Sequence, residues 1–332
     1  MIMTKDYVLY RLRTADEYLS GERISAELNI SRAAVNTAVK ALKDEGYRIE
    51  SFTNKGYRLT GGEERLSVGE MLPYLSTERA GTVTVFASVT STNEVLKDLA
   101  AKGQANPGAC VIADHQTGGK GRRGRRFESP KGKGLYVSVL PDTKDLPAGM
   151  LSELTAWGAV ATAEAIEEVC GVSPGIKWVN DLVYGTKKLC GILTELSLEA
   201  ETGRVQSVVM GIGINVNGTK KDFSPEVADI ATSLREICGE KISRARLCAA
   251  LIKRLDRMCL DFPEKKERYL AAYRERCAIL GKTVTFVKPD GAFRGTAEKI
   301  DEGFRLAVCM ENGTLETLHS GEVSVKGFYE KP

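Results

Sequence analysis

The sequence predicts an α+β protein of three parts, and three observations carry that expectation. Up to about residue 60, two short helical patterns are followed by a hairpin. From there to residue 276, apolar β-rich runs alternate with amphipathic helices, yet several runs meet at hairpin-like turns such as Gly185-Thr186-Lys187. That pattern favours a mixed sheet with flanking helices over a regular βαβ repeat. Beyond residue 277, short strands are separated by PDG, DEG, ENG and SGE turns, which reads as a small all-β unit. The expected domains are 1–64, 68–276 and 277–329, with GGEERLSV at 61–68 as the first linker.

In the first domain Ser31 is placed to cap a helix, with Ile30 and Val35 at the N′ and N4 positions of a hydrophobic staple. Val35, Ala38, Val39 and Leu42 form one apolar stripe, and Gly46 stops it. Ser25 to Leu28 reads as a shorter helix ending at Asn29-Ile30, so the pair makes a helix, a tight turn and a helix. Tyr47 to Thr60 follows as a β-hairpin turning at Thr53-Asn54-Lys55-Gly56. The polar face of the second helix carries Arg32, Asn36, Thr37, Lys40 and Lys43, a set able to touch both phosphates and base edges in a DNA major groove. The competing reading is a solvated face of a protein-binding accessory domain. The stretch resembles a winged helix-turn-helix, which implies operator DNA as a partner and a homodimer whose paired helices read symmetric half-sites.

In the second domain the expected strands are Val83 to Ala87, Ala109 to Asp114, Leu135 to Leu140, Lys177 to Val179, Leu182 to Tyr184, Leu189 to Leu196 and Ser207 to Gly213. The main helices are Thr92 to Lys102 and Met150 to Val169, the latter with Leu151, Leu154, Gly158, Ala161 and Ala165 on one face. A further helical stretch, Ser243 to Arg276, repeats Leu247, Leu251 and Leu255 at helix spacing. In the third domain the expected strands are Thr283 to Val287, Gly291 to Ile300, Phe304 to Met310, Thr314 to His319 and Glu322 to Lys326.

One stretch does not fit simple structural punctuation: GGKGRRGRRFESP, residues 118–130, has five cations and four glycines in its first ten positions. It lacks the Gly-Lys-Ser/Thr ending of a phosphate-binding P-loop, and no amphipathic helix follows as in a dinucleotide fingerprint. GIGIN at 211–215 is as weak a nucleotide motif, since a glycine pair closing a strand more often marks close backbone approach. A basic tether belongs at a terminus or in a linker, whereas this run lies between two strands. It therefore reads as a loop that closes on an anionic ligand. Lys120, Arg122, Arg123, Arg125 and Arg126 can gather around a phosphate while the glycines let the chain move.

Composition excludes several classes. With 42% hydrophobic and 27% charged residues the chain can bury a large core. A net charge of +3 is too small to argue for nucleic acid by itself, so only local cation clusters count. Neither an apolar signal core nor a run of about 18 apolar residues is found, which makes the cytoplasm the expected location and a membrane an unexpected partner. The eight cysteines lie among apolar neighbours without a CxxC pair, pointing to buried reduced thiols rather than disulfides or zinc.

Five motifs in one order and spacing carry a resemblance that none carries alone: STN (91–93), HQTGGKGRRGRRF (115–127), KWVNDL (177–182), KKLCGILTE (187–195) and GIGINVN (211–217). From about residue 5 to residue 328 the chain resembles the biotin protein ligases, and with the winged helix in front it resembles the bifunctional bacterial kind that also represses biotin-synthesis genes. The resemblance implies two half-reactions. The biotin carboxylate attacks the α-phosphate of ATP, giving biotinyl-5′-AMP and pyrophosphate; a lysine amine of a biotin carboxyl-carrier protein domain then takes the acyl group. The first step joins an anion to a polyanion, so it demands fixed positive charge and positioning rather than a histidine base, in keeping with a chain that has 2 histidines.

The resemblance also assigns residues. Lys177 and Arg122 are the implied catalytic charges. Ser91, Thr92, Asn93 and Gln116 surround the ureido head, and Lys120, Gly121 and Arg122 fold over the ligand. Gly191, Gly211 and Gly213 wall the slot without side-chain crowding. Arg122, Arg123, Arg125, Lys177, Asn180 and Asn215 face ATP or the adenylate. Magnesium is implied as a cofactor, with Asp181 a candidate ligand and Asn180, Asp181 and Asn215 equally readable as turn residues. The third domain resembles a small SH3-like β-barrel. Three positions depart from the family pattern: Lys120 stands at the first arginine of the loop, Phe127 at its aromatic and Val179 where a proline follows Lys-Trp. The alternatives are a lipoate or octanoate ligase, which shares the domain, and a non-catalytic ligand-sensing transcription factor.

Overall fold

The computed structural model describes residues 2–62, 65–143, 150, 153–198, 205–288, 291–319 and 323–329. Glu63 and Glu64 of the expected linker, Leu151 of the helix stripe, Pro289-Asp290 of the PDG turn and the SGE turn at 320–322 lie outside the described residues. The chain divides into two compact units, Met1–Val85 with Ser243–Ala249, and Phe86–Ile242 with Ala250–Pro332.

The first unit begins with helices α1 (Thr4–Arg13), α2 (Gly21–Leu28) and α3 (Arg32–Asp44), then strands β1 (Arg48–Phe52) and β2 (Gly56–Gly61). As expected, the Ser31 hydroxyl accepts the Ala34 N–H at 3.1 Å and caps α3. The stripe Val35, Ala38, Val39 and Leu42 is buried in one cluster with Val8, Leu9 and Leu12 of α1. Fully burying a side chain the size of Val35 or Leu42 contributes about 1.5–3 kcal/mol. The hairpin turns through Asn54 (φ 71°) and Gly56 (φ 99°). Glycine is required at 56 because a Cβ there would lie 2.1 Å from the Leu19 carbonyl oxygen, which accepts the Tyr57 N–H at 2.8 Å.

Short helices α4 (Val68–Met71) and α5 (Thr77–Ala80) complete this part. The Asp6 carboxylate accepts the N–H groups of Met3 and Gly69, both at 3.1 Å. Arg13 donates through Nε and Nη2 to the buried Glu70 carboxylate. Gly69 and Glu70, just past the expected linker, are thus held to α1 by charged groups. Burial pushes the Asp6 carboxyl above the usual aspartate range.

In the second unit the sheet runs β3-β4-β5-β9-β8-β7-β6, entering the unit at Phe86 of its edge strand. The strands are β3 (Val83–Phe86), β4 (Cys110–Ala113), β5 (Gly134–Val139), β6 (Gly175–Lys177), β7 (Asp181–Tyr184), β8 (Lys187–Leu198) and β9 (Val205–Asn215). The pairings from β4 across to β6 are antiparallel. Helix α6 (Thr92–Ala101) packs on β4, β5 and β9, and α7 (Leu154–Cys170) on β7 and β8. Gly158 of α7 sits against Met210, where a Cβ would come 2.6 Å from the sulfur.

Further along come α8 (Pro225–Ile230), α9 (Leu234–Cys238), α10 (Arg244–Asp261) and α11 (Lys266–Arg276). The helical stretch expected over Ser243 to Arg276 is broken between α10 and α11 at Phe262-Pro263. Proline lacks an N–H for the helix ladder and excludes the preceding residue from helical geometry. Around this break Trp157 stacks on Tyr269 with centroids 3.9 Å apart and meets Phe262 edge-on.

The last part is a five-stranded antiparallel sheet in the order β13-β12-β11-β10-β14. Its strands are β10 (Thr283–Lys288), β11 (Gly291–Ile300), β12 (Leu306–Met310), β13 (Leu315–Leu318) and β14 (Val323–Val325). β12 starts two residues later than expected because Phe304 takes a left-handed conformation (φ 57°) in a turn where Asp301 accepts the Gly303 and Arg305 N–H groups at 2.9 Å. The Trp178 indole donates to the Phe304 carbonyl at 2.8 Å, joining the KWVND segment to this sheet. Cys110, Cys190, Cys248 and Cys277 are buried, the other four cysteines are half-buried, and all eight are outside disulfides. Among the described residues no helix is long and apolar enough to cross a membrane.

Candidate active site

A cavity of about 230 Å3 in the second unit is lined by every ligand-contacting residue singled out from the sequence, from Ser91 to Asn215, including Asp181. Three segments of backbone bring them together: the N-terminus of α6, the loop 118–130, and the β6–β7 turn beside β8 and β9.

At the α6 end, polar side chains are locked to one another. Ser91, Thr92, Asn93 and Gln116 are all buried. Gln116 Oε1 accepts the Thr92 N–H at 2.9 Å, and Gln116 Nε2 donates to Ser129 Oγ at 2.9 Å. Asn93 Nδ2 donates to Glu195 Oε2 at 2.7 Å, and Asn93 Oδ1 accepts from Ser138 Oγ at 2.5 Å. Each amide is thereby fixed in orientation, which a bicyclic urea with two donors and one acceptor needs from its pocket.

The glycines expected to wall the slot have defined neighbours. A Cβ on Gly211 would lie 2.2 Å from Asn93 Oδ1, and one on Gly213 would lie 2.6 Å from the Phe127 ring. Gly211 thus makes room for the Asn93 amide. Gly213 makes room for the aromatic side chain of the basic loop, whose ring also meets Tyr136 edge-on at 6.4 Å.

The basic loop is a small closed hairpin. Lys120 bridges Arg126, the Gly121 N–H donates to the Arg125 carbonyl at 2.7 Å, and the Phe127 N–H donates to the Gly119 carbonyl at 2.9 Å. Arg123, at its tip, is left-handed (φ 54°). Arg122 turns inward and donates to Asn180 Oδ1 at 3.0 Å, whereas Arg123, Arg125 and Arg126 are exposed. Lys120 points to helix α6 and donates to Glu94 Oε1 at 2.8 Å. Its ammonium, together with Lys97, holds the Glu94 carboxyl below the usual range. Lys97 continues the chain to Glu195 at 3.1 Å. Burial alone would lower the Lys97 ammonium, but its hydrogen bonds to Glu94 and Glu195 outweigh that and shift it upward.

At the other end, Lys177 and Asp181 flank the β6–β7 turn and both are buried. Asp181 Oδ1 pairs with Lys188 at 2.8 Å and Asp181 Oδ2 accepts the Tyr329 hydroxyl at 2.9 Å. Asn180 Nδ2 donates to the Ile192 carbonyl at 3.0 Å, which pins the turn to β8. Val179, at the departure from proline, offers its carbonyl to the Tyr273 hydroxyl at 3.2 Å. A fixed ammonium and an inward guanidinium at one end, and matched amides at the other, suit a ligand with a polar head and an anionic tail.

Several lining residues were not anticipated. Phe223, Val227, Ile230 and Ala231 form an apolar wall at α8, and Val323 and Tyr329 arrive from the last sheet. The Ser224-Pro225 start of α8 is a helix signal that could have been read. Glu128 Oε2 accepts the Ser224 N–H at 2.9 Å and ties that helix to the end of the basic loop. Nothing near Tyr329 in the sequence marks it.

The residues expected from the sequence to meet DNA lie in the first unit. Arg32, Asn36, Thr37, Lys40 and Lys43 are all exposed on α3. Thr37 donates its hydroxyl to the Ala33 carbonyl at 3.0 Å, and Lys43 donates to Ser51 of β1 at 2.9 Å.

Comparison with known proteins matches residues 85–215 to the Biotin/lipoate A/B protein ligase family and residues 4–58 to an HTH domain. Over 324 residues the chain is 34% identical to the Bifunctional ligase/repressor BirA of Bacillus subtilis, an overlap of 97% of this chain and 98% of that one. The chain belongs to the bifunctional ligase/repressor (BirA) family. It is also 30% identical to BirA of Escherichia coli K12 over 320 residues, 96% of each chain. Among solved structures it is similar to the biotin protein ligase of Aquifex aeolicus in complex with biotin and ATP. That likeness has 30% identity and a TM-score of 0.63, and covers 74% of this chain and 98% of that one. As a BirA-family chain it keeps the five motifs around one cavity while carrying Lys120, Phe127 and Val179 at the three departures. Lys120 cannot make an arginine's two-pronged contact, and here it is held by Glu94 instead.

Proposed function

We propose that this chain joins biotin to ATP, holds the biotinyl-5′-AMP, and delivers the biotinyl group to a lysine of a biotin carboxyl-carrier protein domain. We further propose that its 1–64 domain represses biotin genes by binding operator DNA, and that the chain acts as a homodimer in the cytoplasm. The observation that carries the enzymatic reading is the convergence of the amide cluster, the inward Arg122 and the buried Lys177 on one cavity.

In the first step a carboxylate oxygen of biotin bonds to the α-phosphorus and pyrophosphate leaves. Lys177, which is buried, and Arg122, which is half-buried, are assigned the charge that develops there, because pre-positioned cations stabilise it without reorganising. In the second, the acceptor amine bonds to the acyl carbon, AMP leaves, and the amine loses a proton. The hairpin 118–127 is assigned the closure that keeps water from the mixed anhydride meanwhile.

Magnesium would supply charge neutralisation at the phosphates. Among the described residues no cluster of three or more His, Cys, Asp or Glu side chains could hold a metal, and Asp181 is already engaged by Lys188, Asn180 and Tyr329. The residues therefore fit an ion held mainly by phosphate and water oxygens, as magnesium commonly is. The test is biotin-dependent exchange of labelled pyrophosphate into ATP, with lipoate and octanoate as rival acids. Exchange with biotin, falling about 100- to 1000-fold but still measurable in Lys177→Ala, is expected; no exchange with any of the three acids refutes the reading.

A further inference from the structure

We infer that Tyr329 is a positioning residue for Lys177, holding its ammonium in place at the cavity wall. The inference rests on the assignment of Lys177 to the adenylation step. Lys177 is 6% exposed, and its Nζ lies 4.4 Å from the centroid of the Tyr329 ring. A cation over an aromatic face is held most strongly when both are shielded from water. The hydroxyl of the same ring donates to Asp181 Oδ2 at 2.9 Å, on the other side of a turn only three residues long. One side chain thus spans the two ends of the β6–β7 turn.

The local chain is built to deliver that ring. After β14 the backbone reverses at Gly327 (φ 86°), and Phe328 is buried, donating its N–H to the Val325 carbonyl at 3.0 Å with the Lys282 ammonium 5.4 Å from its ring. With Phe328 as anchor, Tyr329 adopts a left-handed conformation (φ 60°), and its N–H reaches the Thr186 carbonyl at 3.4 Å. That conformation is unfavourable for a tyrosine, so it persists only where surrounding contacts impose it. A lysine stem has four rotatable carbons and no inherent direction. An ammonium that must meet a developing charge gains from a fixed seat, and the tyrosine ring provides one.

The experiment uses the full chain as wild type and as the single variants Tyr329→Leu, Tyr329→Phe and Lys177→Ala, with the double variant Lys177→Ala/Tyr329→Leu closing the cycle. Biotin-dependent pyrophosphate exchange and single-turnover adenylation are measured, alongside thermal melting. Tyr329→Leu is expected to slow adenylation roughly 5- to 30-fold, the range between an exposed and a shielded cation–π contact, with the KM for biotin within about twofold of wild type. Tyr329→Phe, which keeps the ring, is expected to recover to within about threefold of wild type. In the Lys177→Ala background the tyrosine substitution is expected to cost nothing further. Wild-type rates in Tyr329→Leu, or an equal loss with and without the lysine, overturn the proposal even if the variant also melts early. A wild type without exchange overturns the ligase reading and this inference with it.

Discussion

Replacing Gly211 by alanine tests whether the backbone, rather than a polar side chain, shapes the head of the cavity. Gly211 lies outside the left-handed region, so alanine is conformationally allowed and its cost is steric. The new methyl would lie 2.2 Å from Asn93 Oδ1 and 2.8 Å from its Cγ. Asn93 is 3% exposed and held on both sides, so its amide has to leave both partners to make room. Losing the bond to the Glu195 carboxylate costs about 1.5–3 kcal/mol and losing that to Ser138 about 1 kcal/mol. Together these give roughly 2.5–4 kcal/mol of folding stability, and biotin affinity is expected to fall about tenfold as well, the worth of one hydrogen bond, if the displaced amide is a ligand. Urea denaturation and calorimetric titration with biotin measure the two consequences. Repeating Gly211→Ala in an Asn93→Ala background removes the atoms the methyl would strike, so the added cost there is expected to fall to within about 0.5 kcal/mol of zero. An equal cost in both backgrounds, or none in either, refutes the reasoning.

Three further outcomes follow from the structure. Glu94→Gln removes the carboxylate that holds Lys120, and an exposed pair of this kind contributes up to about 1 kcal/mol; trypsin cleavage at Arg122–Arg126, resolved by mass spectrometry, is expected to quicken about two- to fivefold, and unchanged cleavage refutes the latch. Asp6 is raised by burial, so the native state binds its proton more tightly than the unfolded chain does; wild-type stability relative to Asp6→Asn is expected to decline as pH rises above about 4 through the folded value, measured by denaturation at several pH values, and a rise instead refutes the burial account. On operator DNA, Arg32→Ala is expected to lower the salt slope of binding by about one, since one phosphate contact is lost. Thr37→Ala, whose hydroxyl already donates within the helix, is expected to change affinity little; fluorescence anisotropy at several salt concentrations checks both.

Which features were legible in the sequence follows from how local their physics is. The α3 cap and stripe, the hairpin turn and the strands of the last sheet are set by neighbours within a few residues, and they stand within two or three positions of expectation. Pro263 was equally readable as a helix break, yet the regular leucine spacing around it masked the interruption. By contrast, no local signal singled out α1, because Val8, Leu9 and Leu12 gain their meaning only when packed on α3. The role of residues 67–71 as a docked segment depends on Asp6 and Glu70, whose partners are about sixty positions distant. Tyr329 was invisible for the same reason: its partners are Lys177 and Asp181, and no motif surrounds it.

The cavity itself shows how a short motif list becomes a site. Asn93, Gln116 and Ser138 come from three separate segments; Ser138 bonds Asn93, and Gln116 bonds Thr92 and Ser129, rather than waiting for a ligand. Such a network resists reorientation, because turning one amide leaves a buried partner unsatisfied at a cost of about 1–3 kcal/mol. The same logic runs outward through Glu195, Lys97 and Glu94 to Lys120, so the basic hairpin is joined by hydrogen bonds to the side chains that would read the head group. With lysine at 120, the Glu94 carboxylate on α6 takes up the charge. Lys120 is thus held by a protein-internal contact at the α6 edge of the loop, while Arg122 and Phe127 stay turned to the cavity.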